Sequence, residues 1–176
     1  PEWIAAPHPA FDAPLFVVGP PRTGTTILLE LLALVPQLRA PYAWEALHPL
    51  RDEGDAGRRR ELSECEQEFW SDIHPDFMTM HELASDLPCE CVHFLAYDFA
   101  GSHWSMLFDT PAFTGWQLEH SAPLLARVYR LHRPILQTFQ HGSEPRRRLF
   151  KPPGQPHPPP HHLADVPDPR RTHTPP

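Results

Sequence analysis

The stretch Pro14 to Val35, PLFVVGPPRTGTTILLELLALV, restricts the fold more than any other part of the chain. It reads as a short apolar strand, a Gly/Pro turn ending in RTGTT, and an almost wholly apolar helix. Leu15 to Val18 predicts a buried strand, because Phe16, Val17 and Val18 favour extended backbone. Gly19, Pro20 and Pro21 end it. Gly24 lets the main chain approach a ligand with no Cβ in the way. Thr25 and Thr26 open a helix whose first N–H groups lack intrahelical partners and carry the positive end of the dipole. An anion fits there on grounds of geometry and charge. A strand feeding such a helix predicts an α/β fold, a parallel sheet flanked by helices, with the ligand at the C-terminal end of the first strand.

The spacing Gly19-x-x-x-x-Gly24-Thr25-Thr26 has the length of a nucleotide P-loop, G-x-x-x-x-G-K-[ST], but Thr25 stands where that loop has its lysine. A cation enters instead as Arg22, whose planar guanidinium grips a phosphate by two hydrogen bonds. The expected anion-binding set is therefore Arg22, Thr23, Gly24, Thr25 and Thr26.

P-x-R-[ST]-G-T-T after a strand resembles the 5′-phosphosulfate-binding loop of sulfotransferases that use 3′-phosphoadenosine 5′-phosphosulfate (PAPS) as donor. Arg39-Ala40-Pro41-Tyr42-Ala43-Trp44-Glu45 is similar to the R-A-P-x-x-W-E run of the bacterial-type branch of that family. Phe77-Met78-Thr79-Met80-His81-Glu82 and Leu87-Pro88-Cys89-Glu90-Cys91 resemble its M-H and P-E-E-C runs, with Cys89 replacing the first acidic residue. The resemblance covers about Pro14 to Gln140. It implies PAPS as co-substrate, no metal, and a small-molecule acceptor bearing a hydroxyl or amine.

The formal charge of −7 argues against general nucleic-acid binding. The longest apolar run, Ile27 to Val35, is too short to span a bilayer. Three cysteines, Cys65, Cys89 and Cys91, do not make a disulfide framework, and the reading is of a cytoplasmic protein. Cys89-x-Cys91 lacks the spacing of a paired zinc site.

Along the chain, 1–13 reads as a lead-in, 14–144 as a sulfotransferase-like domain with a helix-rich middle, and 145–176 as a disordered Pro/His-rich tail. Arg51 to Arg60 reads as a charged loop. Glu61 to Asp72 predicts a helix burying Leu62, Cys65, Phe69 and Trp70; Cys89 to Phe99 and Ala122 to Gln140 predict two more. Eleven of the 25 prolines fall between Pro145 and Pro176, which opposes a packed strand-helix-strand there. Leu149-Phe150-Lys151-Pro152-Pro153 and Thr172-His173-Thr174-Pro175-Pro176 look like altered versions of the family's L-K-S-P and T-H-R-D-P runs. In the family, the arginine of the second run binds the donor's 3′-phosphate. The expectation is thus a chain truncated or degraded at its C-terminal end, with an incomplete sheet.

Sulfuryl transfer needs stabilisation of the leaving phosphate and removal of a proton from the acceptor. Arg22 and the loop amides suit the first task. For the second, the expected base is Glu45, with His81 next because histidine transfers protons near neutral pH. A structural Glu45, capping a helix or pairing with an arginine, is the alternative. Trp44, Phe77, Trp104, Phe108 and Trp116 are candidates for an apolar acceptor pocket. Two other readings stay open: a kinase-like P-loop protein, and a non-catalytic remnant.

Overall fold

The computed structural model describes residues 14–20, 22–50, 56–79, 81–95, 97, 104–105, 108–121, 123–124, 127, 134–136, 138–139, 146–152 and the backbone of 170–173. Four strands form one sheet: β1 (Leu15–Val18), β2 (Leu38–Arg39), β3 (Arg147–Phe150) and β4 (Arg170–His173), in the order β2-β3-β1-β4. Every pairing is parallel: Leu15 lies opposite Leu149, Val18 opposite His173, and Leu38 opposite Arg147. The fold is α/β, as expected, with β1 inside the sheet.

The period-two alternation of strands sorts the core into two layers. Val17 and Leu149 face one side, where Leu29 of helix α1 (Thr25–Ala33) packs with Leu38 and Ala40. Phe16 and Phe150 face the other, against Ala43 and Ala46 of α2 (Ala43–Leu47), Phe94 of α4 (Val92–Leu95), and Ile135, Leu136 and Phe139. Between them in sequence, α3 (Ala56–Ile73) packs on α2, and α5 (Pro111–Glu119) follows α4.

Three sequence expectations need correction. The tail does not begin at Pro145: Arg147–Phe150 is the strand between β1 and β2, and Arg170–His173 pairs with β1 on its other side. A four-residue strand needs only a short Pro-free run, and RRLF and RRTH each supply one. The prolines at 153–169 lie outside the described residues, as do the lead-in 1–13 and most of the helix expected over 122–140.

The second correction concerns Arg58 to Arg60, which belong to α3 rather than to a loop. Arginine and glutamate are good helix formers, and Arg59 and Arg60 stack on the Trp44 ring with their guanidinium carbons 4.8 and 5.2 Å from its centroid. Thirdly, α3 buries a polar face. Ser63 and Gln67 are buried, whereas Leu62, Cys65 and Phe69 are exposed. The buried pair engages Ser85, whose Oγ donates to Ser63 Oγ at 3.0 Å and accepts from Gln67 Nε2 at 3.1 Å. The Glu64 carboxylate accepts the Ser85 N–H at 3.1 Å. Hydrogen bonding, not apolar burial, decides which way this helix faces.

Candidate functional site

β1 ends at Val18, and the chain turns through 19–24 into α1. Arg22 and Gly24 both take left-handed backbone, with φ of 67° and 84°. Thr23 Oγ1 donates to the Pro20 carbonyl at 2.7 Å and closes the turn. Gly24 is the N-cap of α1; it has no side chain to cap the helix amides, and no acidic residue stands in the first turn. A Cβ at Gly24 would meet nothing within 4 Å, so glycine is there for its backbone conformation and not for lack of room. The amides of Thr25 and Thr26 thus begin a nine-residue helix with an open positive end. Thr25 is buried, Thr26 half-buried, and the Arg22 side chain exposed.

A residue absent from the expected site completes this arrangement. Lys151, the residue after β3, is buried, and its Nζ donates to Thr26 Oγ1 at 2.8 Å. It also pairs with the Glu90 carboxylate. Because β3 lies beside β1, the strand end delivers its lysine to the loop that follows β1. An ammonium thus reaches the loop from the neighbouring strand, at Thr26. A signal for it stood in the sequence: the chain has fourteen arginines and one lysine, and the one lysine directly follows the run RRLF.

Glu90 is fixed from both sides. The Cys89 N–H donates to the Pro41 carbonyl at 2.9 Å, and the Cys91 N–H to the Lys151 carbonyl at 2.8 Å. Farther up the same segment, the carbonyls of Ser85 and Leu87 accept from the amides of Trp44 and Ala43. Cys89 and Cys91 are buried free thiols, and burial pushes both well above the usual thiol range, with Glu90 adding to the effect. Among the described residues no group of His, Cys, Asp and Glu side chains gathers as a metal site would.

The expected bases sit differently. Glu45 is buried at the start of α2, and both its oxygens are engaged: Arg39 grips them at 2.8 and 2.7 Å, and the Tyr42 N–H donates to Oε2 at 2.9 Å. It follows β2, two strands from β1 and so about 10 Å away across the sheet. His81 is half-buried in the segment between the 3-10 turn Pro75–Thr79 and Ser85. The loop residues 22–26 come together, and the carboxylate joined to them is Glu90 rather than Glu45. Phe108 and Trp116, expected near an acceptor, are largely exposed, and Trp44 is covered by arginines. The Phe77 side chain is outside the described set.

A model of the sulfotransferase family matches residues 14–167. The chain belongs to the sulfotransferase family. Two solved sulfotransferases share its fold. STF9 from Mycobacterium avium aligns with a TM-score of 0.70 at 24% identity, over 98% of this chain and 44% of its own. STF1 from Mycobacterium tuberculosis aligns with a TM-score of 0.60 at 22% identity, over 94% of this chain and 46% of its own. The sulfotransferase chain thus spans less than half the length of these structures. No curated protein matches it in sequence. None of its helices, among the described residues, is long and apolar enough to cross a membrane.

Proposed function

We propose that the chain carries the donor-binding part of a PAPS-dependent sulfotransferase acting on a hydroxyl or amine of a small molecule. One observation carries this reading: the buried Lys151 ammonium reaches Thr26 Oγ1 in the first turn of α1, beside uncapped helix amides and the left-handed Gly24. Cation, hydroxyl and amide donors on one spot suit the bridging phosphate of a phosphosulfate. Family membership supports the choice of a sulfuryl donor over a triphosphate.

The donor would supply an activated sulfuryl group. The acceptor oxygen or nitrogen bonds to sulfur, the sulfur–oxygen bond to phosphate breaks, and the acceptor's proton passes to a base. Arg22, Lys151 and the amides of Thr23 to Thr26 would hold the phosphate that leaves with the bond's electrons. The engagement of Glu45 by Arg39 and Tyr42 favours a structural role for it and leaves His81 as the base in this reading. Buried free thiols suit a reducing cytoplasm.

Titration with adenosine 3′,5′-bisphosphate, the product nucleotide, tests the reading. Saturable binding is expected, weakened about tenfold or more by Arg22→Ala, the scale of a charge-assisted hydrogen bond. A preference for ATP with Mg²⁺, or no binding of either nucleotide, would overturn it.

A further inference from the structure

The carboxylate of Glu90 has no part in the function so far, yet it is the acidic group joined to the loop cation. The geometry points to Glu90 as a resident counter-anion: it holds Lys151 in the empty site and opposes any anion that enters beside it, which makes it a positioning residue that limits donor and product affinity. This rests on the donor-site reading only in naming the anion.

Three observations support it. Lys151 is buried with a side chain 7% exposed, and an ammonium out of water requires a partner of opposite charge. Glu90 meets that need while its own side chain remains 24% exposed, more open to solvent than the lysine it pairs with. Its place is built: the flanking Cys91 amide is tied to the Lys151 carbonyl and the flanking Cys89 amide to Pro41, so the backbone that carries the carboxylate is held beside Lys151. An ammonium has three donors. Among the described residues Thr26 and Glu90 take two, and an entering phosphate would take the third. That phosphate then lies within a few ångströms of a fixed negative charge, and the repulsion, screened by salt, weakens its hold. The consequence is an easier release of a highly charged product.

The test is the isosteric Glu90→Gln variant of the full chain, with Glu90→Asp as the charge-conserving control. Two probes are titrated, adenosine 3′,5′-bisphosphate and inorganic pyrophosphate. Removing the charge should tighten binding by about fivefold or more at low salt, with the gain shrinking in 0.5 M salt, about three times the physiological strength at which screening is already strong. In a Lys151→Ala background the carboxylate repels the anion with no cation beside it, so the gain should persist, and Glu90→Asp should behave as wild type. A merely structural residue would give weaker binding on substitution and no salt-dependent gain. Because the chain has one lysine, an amine-directed label followed by mass spectrometry reads Lys151 directly. Its modification should speed up several-fold in Glu90→Gln without ligand.

If the nucleotide binds and Glu90→Gln leaves affinity unchanged or lower, the counter-anion role falls and the donor reading stands. If only pyrophosphate binds, and more tightly to the variant, the counter-anion role stands and the donor reading falls. An unaltered labelling rate overturns the role whatever the ligands do.

Discussion

Arg22 is held in a backbone conformation that costs an L-residue roughly 1–2 kcal/mol, and its side chain is exposed. Strain of this kind is retained where the side chain has work elsewhere. Arg22→Gly should relieve it, less the extra freedom glycine gives the unfolded chain. We expect a melting temperature a few degrees above wild type by calorimetry, together with loss of nucleotide binding. A lower melting temperature would mean the guanidinium has a structural partner. The two buried thiols make a second case. Cys65 is exposed, so an aromatic disulfide reagent at pH 8 should titrate one thiol in the native protein and three after denaturation. At this scale the sequence was informative wherever local spacing determines geometry: the turn 19–26 was legible because its glycine, its threonines and Arg22 are neighbours. Lys151 stood out as the one lysine, but its place beside Thr26 was not legible, because it depends on β3 lying next to β1, which no local pattern encodes.

At the level of elements, α2 holds Glu45 in a clamp. Glu45 reaches back to the Tyr42 amide as the third helical residue of a capping arrangement, and it satisfies the half-buried Arg39 at the end of β2. Removing one member of such a pair leaves the other charge stranded. Glu45→Ala should cost about 3 kcal/mol, read as a lower urea midpoint at unchanged slope. Protein still folded should bind nucleotide within about twofold of wild type, since a twofold change is well under the ~1.4 kcal/mol of a tenfold one. Loss of turnover with full stability would instead assign Glu45 as the base. The α3 helix teaches a related lesson. Its apolar residues follow a helical period, yet the face they mark is exposed, because Ser63 and Gln67 on another face meet Ser85. Periodicity identified the helix and misassigned its direction. A buried polar face is invisible to a pattern that counts only apolar residues. Helix α1 leaves Ile27, Leu31 and Leu34 on its outer side at 63, 59 and 78% exposure, spaced as a continuous stripe. Leu31→Lys should therefore reduce light scattering at high protein concentration without lowering the melting temperature.

For the molecule as a whole, alkaline conditions offer a simple probe of the interior. Cys89, Cys91 and Tyr97 have their ionisation pushed upward, mainly by burial. Unfolding releases the thiols to an ordinary value near 9.0, so above that pH the unfolded chain gives up protons that the native one keeps. Stability is then undiminished below about pH 9 and falls as pH rises, by up to about 1.4 kcal/mol per unit for each buried thiol. Replacing both cysteines by alanine should flatten that decline in urea titrations between pH 8.5 and 10, a window chosen to bracket the ordinary thiol range of about 8.5–9. The parallel sheet itself was legible from one strand-turn-helix unit. Its membership was not: a proline-rich composition concealed two strands, because composition averages over a segment whereas a strand needs only four suitable residues. The sheet order has a kinetic corollary. Leu15 finds its neighbour Leu149 more than a hundred residues later, so a ribosome must release all the chain between them before β1 meets either of its described partner strands. Until then the nascent chain carries an apolar helix and an unmatched strand through the crowded cell, and its maturation should be slow and dependent on chaperones.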